Sequence, residues 1–151
     1  MTADLVRNVS DTARWVATYR ARESSRKDAL FRDPLAEKLS GERGRAIAEQ
    51  ASPHAEWALI TRTKLLDDFV IQAVADGSDR VLNLAAGFDT RPYRLPLPAE
   101  LHWVEADLPA LIAEKNELLQ GEKPRCRLER VAVDLSDASC LLYTSPSPRD
   151  A

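Results

Sequence analysis

Glycine is scarce, with five in 151 residues. A dinucleotide pyrophosphate is held by a G-x-G-x-x-G turn at a helix N-terminus. The turn after the strongest strand candidate reads Ala85-Ala86-Gly87-Phe88-Asp89-Thr90 and keeps one glycine of that pattern. An aspartate stands where phosphate would come, a repulsion costing on the order of a kcal/mol at an effective dielectric of ~20. Cysteine is also sparse. Cys126 and Cys140 lack metal-ligand spacing, and a reduced, cytoplasmic setting is the simplest reading. His54 and His102 stand alone and offer no ligand set. No apolar run approaches the ~20 residues of a membrane-crossing helix. The opening "MTADLVRNVSDTARWV" lacks the apolar core of a signal peptide. The net charge is −3 with both signs interspersed, so no basic face is offered to nucleic acid.

What is present is 44% hydrophobic and 30% charged, the balance of a single globular domain. The first half reads helical. Ser10 and Asp11 are candidate caps for a helix through "TARWVATYRARE". Asp33-Pro34 opens the short helix "PLAEKL", which Gly41 is expected to stop. Ser52-Pro53 opens a long helix ending at Gly77. Its expected buried stripe is Trp57, Ile60, Leu65, Phe69, Ala73 and Val74.

The second half alternates. "RVLNLAAG" is a continuous apolar run of strand length, the sign of a strand covered on both faces. "LHWVEAD" and "CRLERVAVDL" are further strands, with the helix "PALIAEKNELLQ" between them. This order predicts a parallel α/β sheet. The division expected is a helical leader over 1–52, the first half of a Rossmann-like domain over 53–139, and a tail over 140–151. The Ser/Pro-rich ending "CLLYTSPSPRDA" breaks the pattern and reads as disordered or as non-native, adapter-derived sequence, which makes the chain the front part of a longer protein.

Ligands of open parallel sheets sit beyond the carboxyl ends of the strands. Those ends fall near Gly87, Asp107 and Asp134, a glycine bend and two carboxylates on one rim. Asp107 follows Gly87 at the spacing of an acid that hydrogen-bonds ribose hydroxyls. Asp107 is also open to a reading as the start of the next helix, and Asp134 as a turn acid. Glu105 shares a strand face with Asp107 and competes for the ribose. Asp89, Arg91 and Arg94 read as residues that shape the turn. S-adenosyl-L-methionine has no phosphate and offers a ribose diol, an adenine, an amino-acid end and a sulfonium. It suits one glycine and an acidic rim better than a dinucleotide does.

"NLAAGFDTRPYRL", "WVEADLP" and "VAVDL", with the leader "TARWVATYRARESSRKDALFRDPLAEKL", resemble bacterial members of the leucine carboxyl methyltransferase-like group of class I S-adenosylmethionine-dependent methyltransferases. The resemblance covers about residues 9–137. It implies a class I Rossmann-like sheet, S-adenosyl-L-methionine as cofactor, and a small-molecule or protein-carboxylate methyl acceptor. Gly87 would pass under the methionine part and Asp107 would take the ribose hydroxyls. Asp134 and Leu135 would flank the adenine. Arg62 would reach the cofactor carboxylate, a contact its planar fork can make bidentately. No catalytic residue is assigned. The first glycine of the family turn is Ala85 here, which is strained if that position needs a positive φ. A family domain also has further strands after the third. The competing readings are a nicotinamide-dependent oxidoreductase and an inactive α/β module that only binds a partner.

Overall fold

A computed structural model describes residues 6–137 and residue 139. The expected tail over 140–151 lies outside the described residues. Three helices come first: α1 (Val9–Ser25), α2 (Ala36–Gln50) and α3 (Pro53–Ala75). They are followed by β1 (Arg80–Leu84), the single turn α4 (Arg91–Arg94), β2 (His102–Asp107), α5 (Pro109–Leu118) and β3 (Arg127–Ala132). The strands form one parallel sheet in the order β1-β2-β3. The α/β class and the parallel sheet expected from the alternating second half are therefore present.

Local chemistry sets the helix starts. The α1 cap is Asn8, whose side chain accepts from the Asp11 amide at 2.8 Å, while Asp11 accepts from the Arg7 amide at 2.9 Å. Ser10 and Asp11 lie inside the helix instead of capping it. Ser52 caps α3 ahead of Pro53, as expected. Gly41 does not end α2. The chain kinks there at φ 58°, ψ −173° and continues helical to Gln50. The run "ERGRAIAEQ" after the kink has good helix formers and an apolar pair, Ile47 and Ala48, that is buried.

Two further expectations are corrected. Of the apolar stripe proposed for α3, Ile60 is buried, but Trp57, Leu65 and Phe69 are more than 60% exposed. Val74, also in that stripe, packs on the buried cluster around Trp103, and the inward face runs through Ile60, Thr63 and Asp67, then Val70 and Val74. Its middle is polar because Asp67 binds arginines beneath it, and there the apolar residues Leu65 and Phe69 lie on the other side. β1 is also not covered on both faces. Val81 packs against the cluster of Leu95, Leu97, Leu101 and Trp103, whereas Leu82 is 63% and Leu84 49% exposed. By register, Leu82, Val104 and Glu129 share that open face.

The core has two parts. Ala13, Ala17, Leu39, Phe88, Leu111 and Leu119 join α1, α2, the post-β1 turn and α5. The Trp103 cluster joins the loop after α4 to β2 and α3. The first part presses α1 against the carboxyl end of β1, where the sequence places its glycine bend.

Candidate functional site

β1 ends at Leu84, and the chain must turn sharply before α4. Ala85 adopts φ 52° and Gly87 φ 52°. Glycine tolerates that conformation, while alanine is strained in it by roughly 1–2 kcal/mol. The bend is closed by the Asp89 amide donating to the Ala86 carbonyl at 3.1 Å. It is tied to β2 by the Gly87 amide, which donates to Asp107 Oδ2 at 2.7 Å. Asp107 Oδ1 accepts from the Leu108 amide at 2.8 Å. Asp107 does not cap α5, whose N-cap is Leu108 with no side-chain bond; its carboxylate instead joins the bend to the first residue after β2. Each oxygen keeps lone-pair capacity for a further donor.

Above this bend lies a cavity of about 410 Å³, within the range of small-molecule sites. Its roof is α1, through Val9, Ala13 and Val16, and its side is α3, through Arg62 and Leu66. Gly87, Asp89 and Asp107 form the floor. Four arginines line it: Arg20, Arg62, Arg91 and Arg94. Three are committed to protein acceptors. Arg20 Nε donates to Asp33 at 2.8 Å. Arg91 binds Asp67 and Asp89 at 2.8 and 2.7 Å. Arg94 grips Asp67 with two nitrogens, at 2.6 and 2.7 Å. Only the Arg62 guanidinium has no partner among the described residues. The wall therefore has one uncommitted cation, which matches a single carboxylate better than a diphosphate.

Asp89 is less of a barrier to anions than its place in the sequence implies. It accepts from Asn83 Nδ2 at 2.9 Å and from Arg91 Nη1 at 2.7 Å. Burial pushes its carboxyl upward, but the Arg91, Lys115 and Arg20 charges outweigh that and hold it below the usual carboxylate range. Asp89 and Arg91 thus shape the turn, as expected, and neutralise each other in doing so.

Of the five residues expected at a cofactor site, Arg62, Gly87 and Asp107 meet at this cavity. Asp134 and Leu135 do not line it. They do lie on the same edge of the sheet: Asp107 pairs with Ala132, and the Val133 amide donates to the Asp107 carbonyl at 2.9 Å. Asp134 is exposed and folded onto its own turn, accepting from the Ser136 amide at 2.9 Å and hydroxyl at 2.6 Å. Those two bonds lower its pKa. Glu105 points to the Asp107 face but is fully buried, with Oε2 taken by Lys115 at 2.8 Å and Arg130 at 2.9 Å. It braces α5 and β3 and is not at the cavity.

Sequence reasoning missed Arg20, Asp33 and Asp67. Asp33 was legible only as a helix-start residue, and Asp67 only as a charge on a long helix. Their roles come from contacts with residues far along the chain, for which the sequence has no periodic signal.

An α/β fold with a parallel sheet, a bend after its first strand and an acid at the end of its second is the layout of nucleoside-cofactor enzymes. Comparison with known sequences narrows the class. The pattern of the leucine carboxyl methyltransferase family matches residues 13–142, and the chain belongs to that family. A Streptomyces coelicolor protein, named among the S-adenosyl-L-methionine-dependent methyltransferases, is 38% identical over 83% of this chain and 49% of its own length. Similarly named proteins of Mycobacteroides abscessus and Frankia alni are each 37% identical, over 89% and 92% of this chain and 47% and 54% of theirs. The chain spans about half the length of the curated relatives it matches.

Proposed function

We propose that this chain provides the cofactor-holding half of an S-adenosyl-L-methionine-dependent methyltransferase. The observation that carries the reading is the convergence of Arg62, Gly87 and Asp107 on one cavity beneath α1. S-adenosyl-L-methionine, when bound, supplies a methyl group already activated on a sulfonium. The chain's own residues then have three tasks. Asp107 offers its remaining lone pairs to a ribose diol. Arg62 offers a bidentate fork to a carboxylate. Gly87, without a side chain, lets the bend approach the ligand closely. Ala13 and Val16 on α1 offer apolar surface over the ligand, so in this reading positioning does most of the work.

The methyl acceptor in this reading is an oxygen or nitrogen nucleophile, with a carboxylate as the class the family description suggests. Asp134 and Leu135, which follow β3 on the same edge of the sheet as Asp107, are in this reading the residues that would flank the adenine. The open face bearing Leu82 and Leu84 supports a covering layer over this side of the sheet in the whole methyltransferase, since exposed apolar surface marks a contact site. A cytoplasmic setting is part of this reading; among the described residues Cys126 is buried and unpaired. No helix among the described residues is long and apolar enough to cross a membrane.

The test is a pair of calorimetric titrations of the chain, with S-adenosylhomocysteine and with NAD. Saturable binding of S-adenosylhomocysteine alone is expected. Saturable NAD binding without it overturns the proposal in favour of a nicotinamide enzyme.

A further inference from the structure

The cavity floor is held by a residue that does not line it. Asp33, between α1 and α2, has a fully buried carboxylate. Its Oδ2 accepts from Arg20 Nε at 2.8 Å and from Thr90 Oγ1 at 2.6 Å, and Arg94 Nε lies 3.9 Å away. Its Oδ1 accepts from the Leu35 amide at 3.1 Å. Arg20 in turn donates through Nη2 to the Phe88 carbonyl at 2.6 Å, inside the bend after β1. One carboxylate therefore reaches the bend by two routes, through Arg20 to Phe88 and directly to Thr90. Those contacts bracket Asp89 and follow Gly87 immediately. The same carboxylate fixes Arg20 on the cavity wall.

We propose that Asp33 is a positioning residue for the ligand site, setting the bend at Gly87–Thr90 and the Arg20 guanidinium in the geometry that receives the cofactor. The inference rests on the cofactor reading above. The neighbouring charges are balanced so that the carboxylate stays in place. Arg94 is itself held by Asp67, and burial raises the cost of stranding any partner. With Asp33→Asn the side chain has one acceptor oxygen and an NH2 group, so it cannot serve both Arg20 and Thr90 on one side and the Leu35 amide on the other. It also loses the charge that holds Arg20, and the bend is then free to shift. Sub-ångström errors of this kind in a preorganised site are felt in affinity.

The experiment compares Asp33→Asn and Thr90→Val with Glu105→Gln, an equally buried ion-pair residue away from the cavity. Two quantities are read below each variant's melting temperature: S-adenosylhomocysteine affinity, and amide hydrogen exchange at Gly87 and Asp89. Asp33→Asn is expected to weaken affinity about tenfold and to speed exchange in the bend. Thr90→Val should do the same to a smaller degree, and it keeps the test open if Asp33→Asn does not fold. Glu105→Gln is expected to lower the melting temperature while leaving both readouts alone, which separates positioning from general stability. Unchanged affinity and exchange in both Asp33→Asn and Thr90→Val overturn the proposal, as does an equal effect of Glu105→Gln. A wild-type chain that does not bind S-adenosylhomocysteine contradicts the cofactor reading itself. That outcome is distinct from binding that is insensitive to Asp33.

Discussion

The Gly87 amide donates to the Asp107 carboxylate across 2.7 Å, joining the end of β1 to the end of β2. The bond makes the bend and the acid one structural unit. Asp107→Ala is therefore expected to weaken S-adenosylhomocysteine binding by about 1–3 kcal/mol, through the lost hydroxyl acceptor and the stranded Gly87 amide. Asp107→Asn keeps an acceptor and should lose less. Calorimetric affinities check the order. Equal losses in the two variants would contradict the assigned role.

Arg62 is exposed, and its guanidinium has no partner among the described residues. Arg62→Ala is expected to cost little stability, within about 0.5 kcal/mol for an unpartnered surface residue. Ligand affinity should fall by about 1–3 kcal/mol, the range for a hydrogen bond to a charged group. Denaturant melts and titrations on one sample separate the two effects. A stability loss without an affinity loss would make Arg62 a structural residue.

Ala85 sits at φ 52°. Ala85→Gly removes roughly 1–2 kcal/mol of left-handed strain and gives back part of it as unfolded-state entropy, for a net gain of about 0.5–1 kcal/mol. A urea melt measures it. Destabilisation by Ala85→Gly would contradict a strain at Ala85 larger than the entropy cost of glycine.

Asp11 is held at about 2, below its ordinary 3.8, chiefly by its hydrogen bond to Arg43, which binds it at 2.9 Å. A carboxyl depressed in the folded state stabilises fully above its unfolded pKa and loses that contribution as pH falls toward the folded value. The α1–α2 contact should therefore weaken between pH 3.8 and about 2. Thermal melts of wild type and Asp11→Asn across that window test this. The variant should start lower at neutral pH and show a shallower acid decline.

The second half was the more legible in sequence. Strand, turn, strand, helix and strand announce themselves through short apolar runs and the Pro109 start, and the parallel sheet follows. Gly87 and Asp107 were readable because the ends of parallel strands fall on one edge. Helix faces were not. Trp57, Leu65 and Phe69 look like a buried stripe, yet the inward side of α3 carries Thr63 and Asp67, because the arginines after β1 need an acceptor there. Glu105 and Asp107 have the same alternation. Only packing separates them, one sealed under Lys115 and Arg130 and one opening on the cavity.

The most direct test of the account is amide chemical-shift mapping of the chain titrated with S-adenosylhomocysteine. The account predicts saturable shifts clustered at Gly87, Asp107 and the α1 residues Ala13 and Val16 above them. Shifts confined to the open face of Leu82 and Val104, or no shifts at saturating ligand, would contradict it.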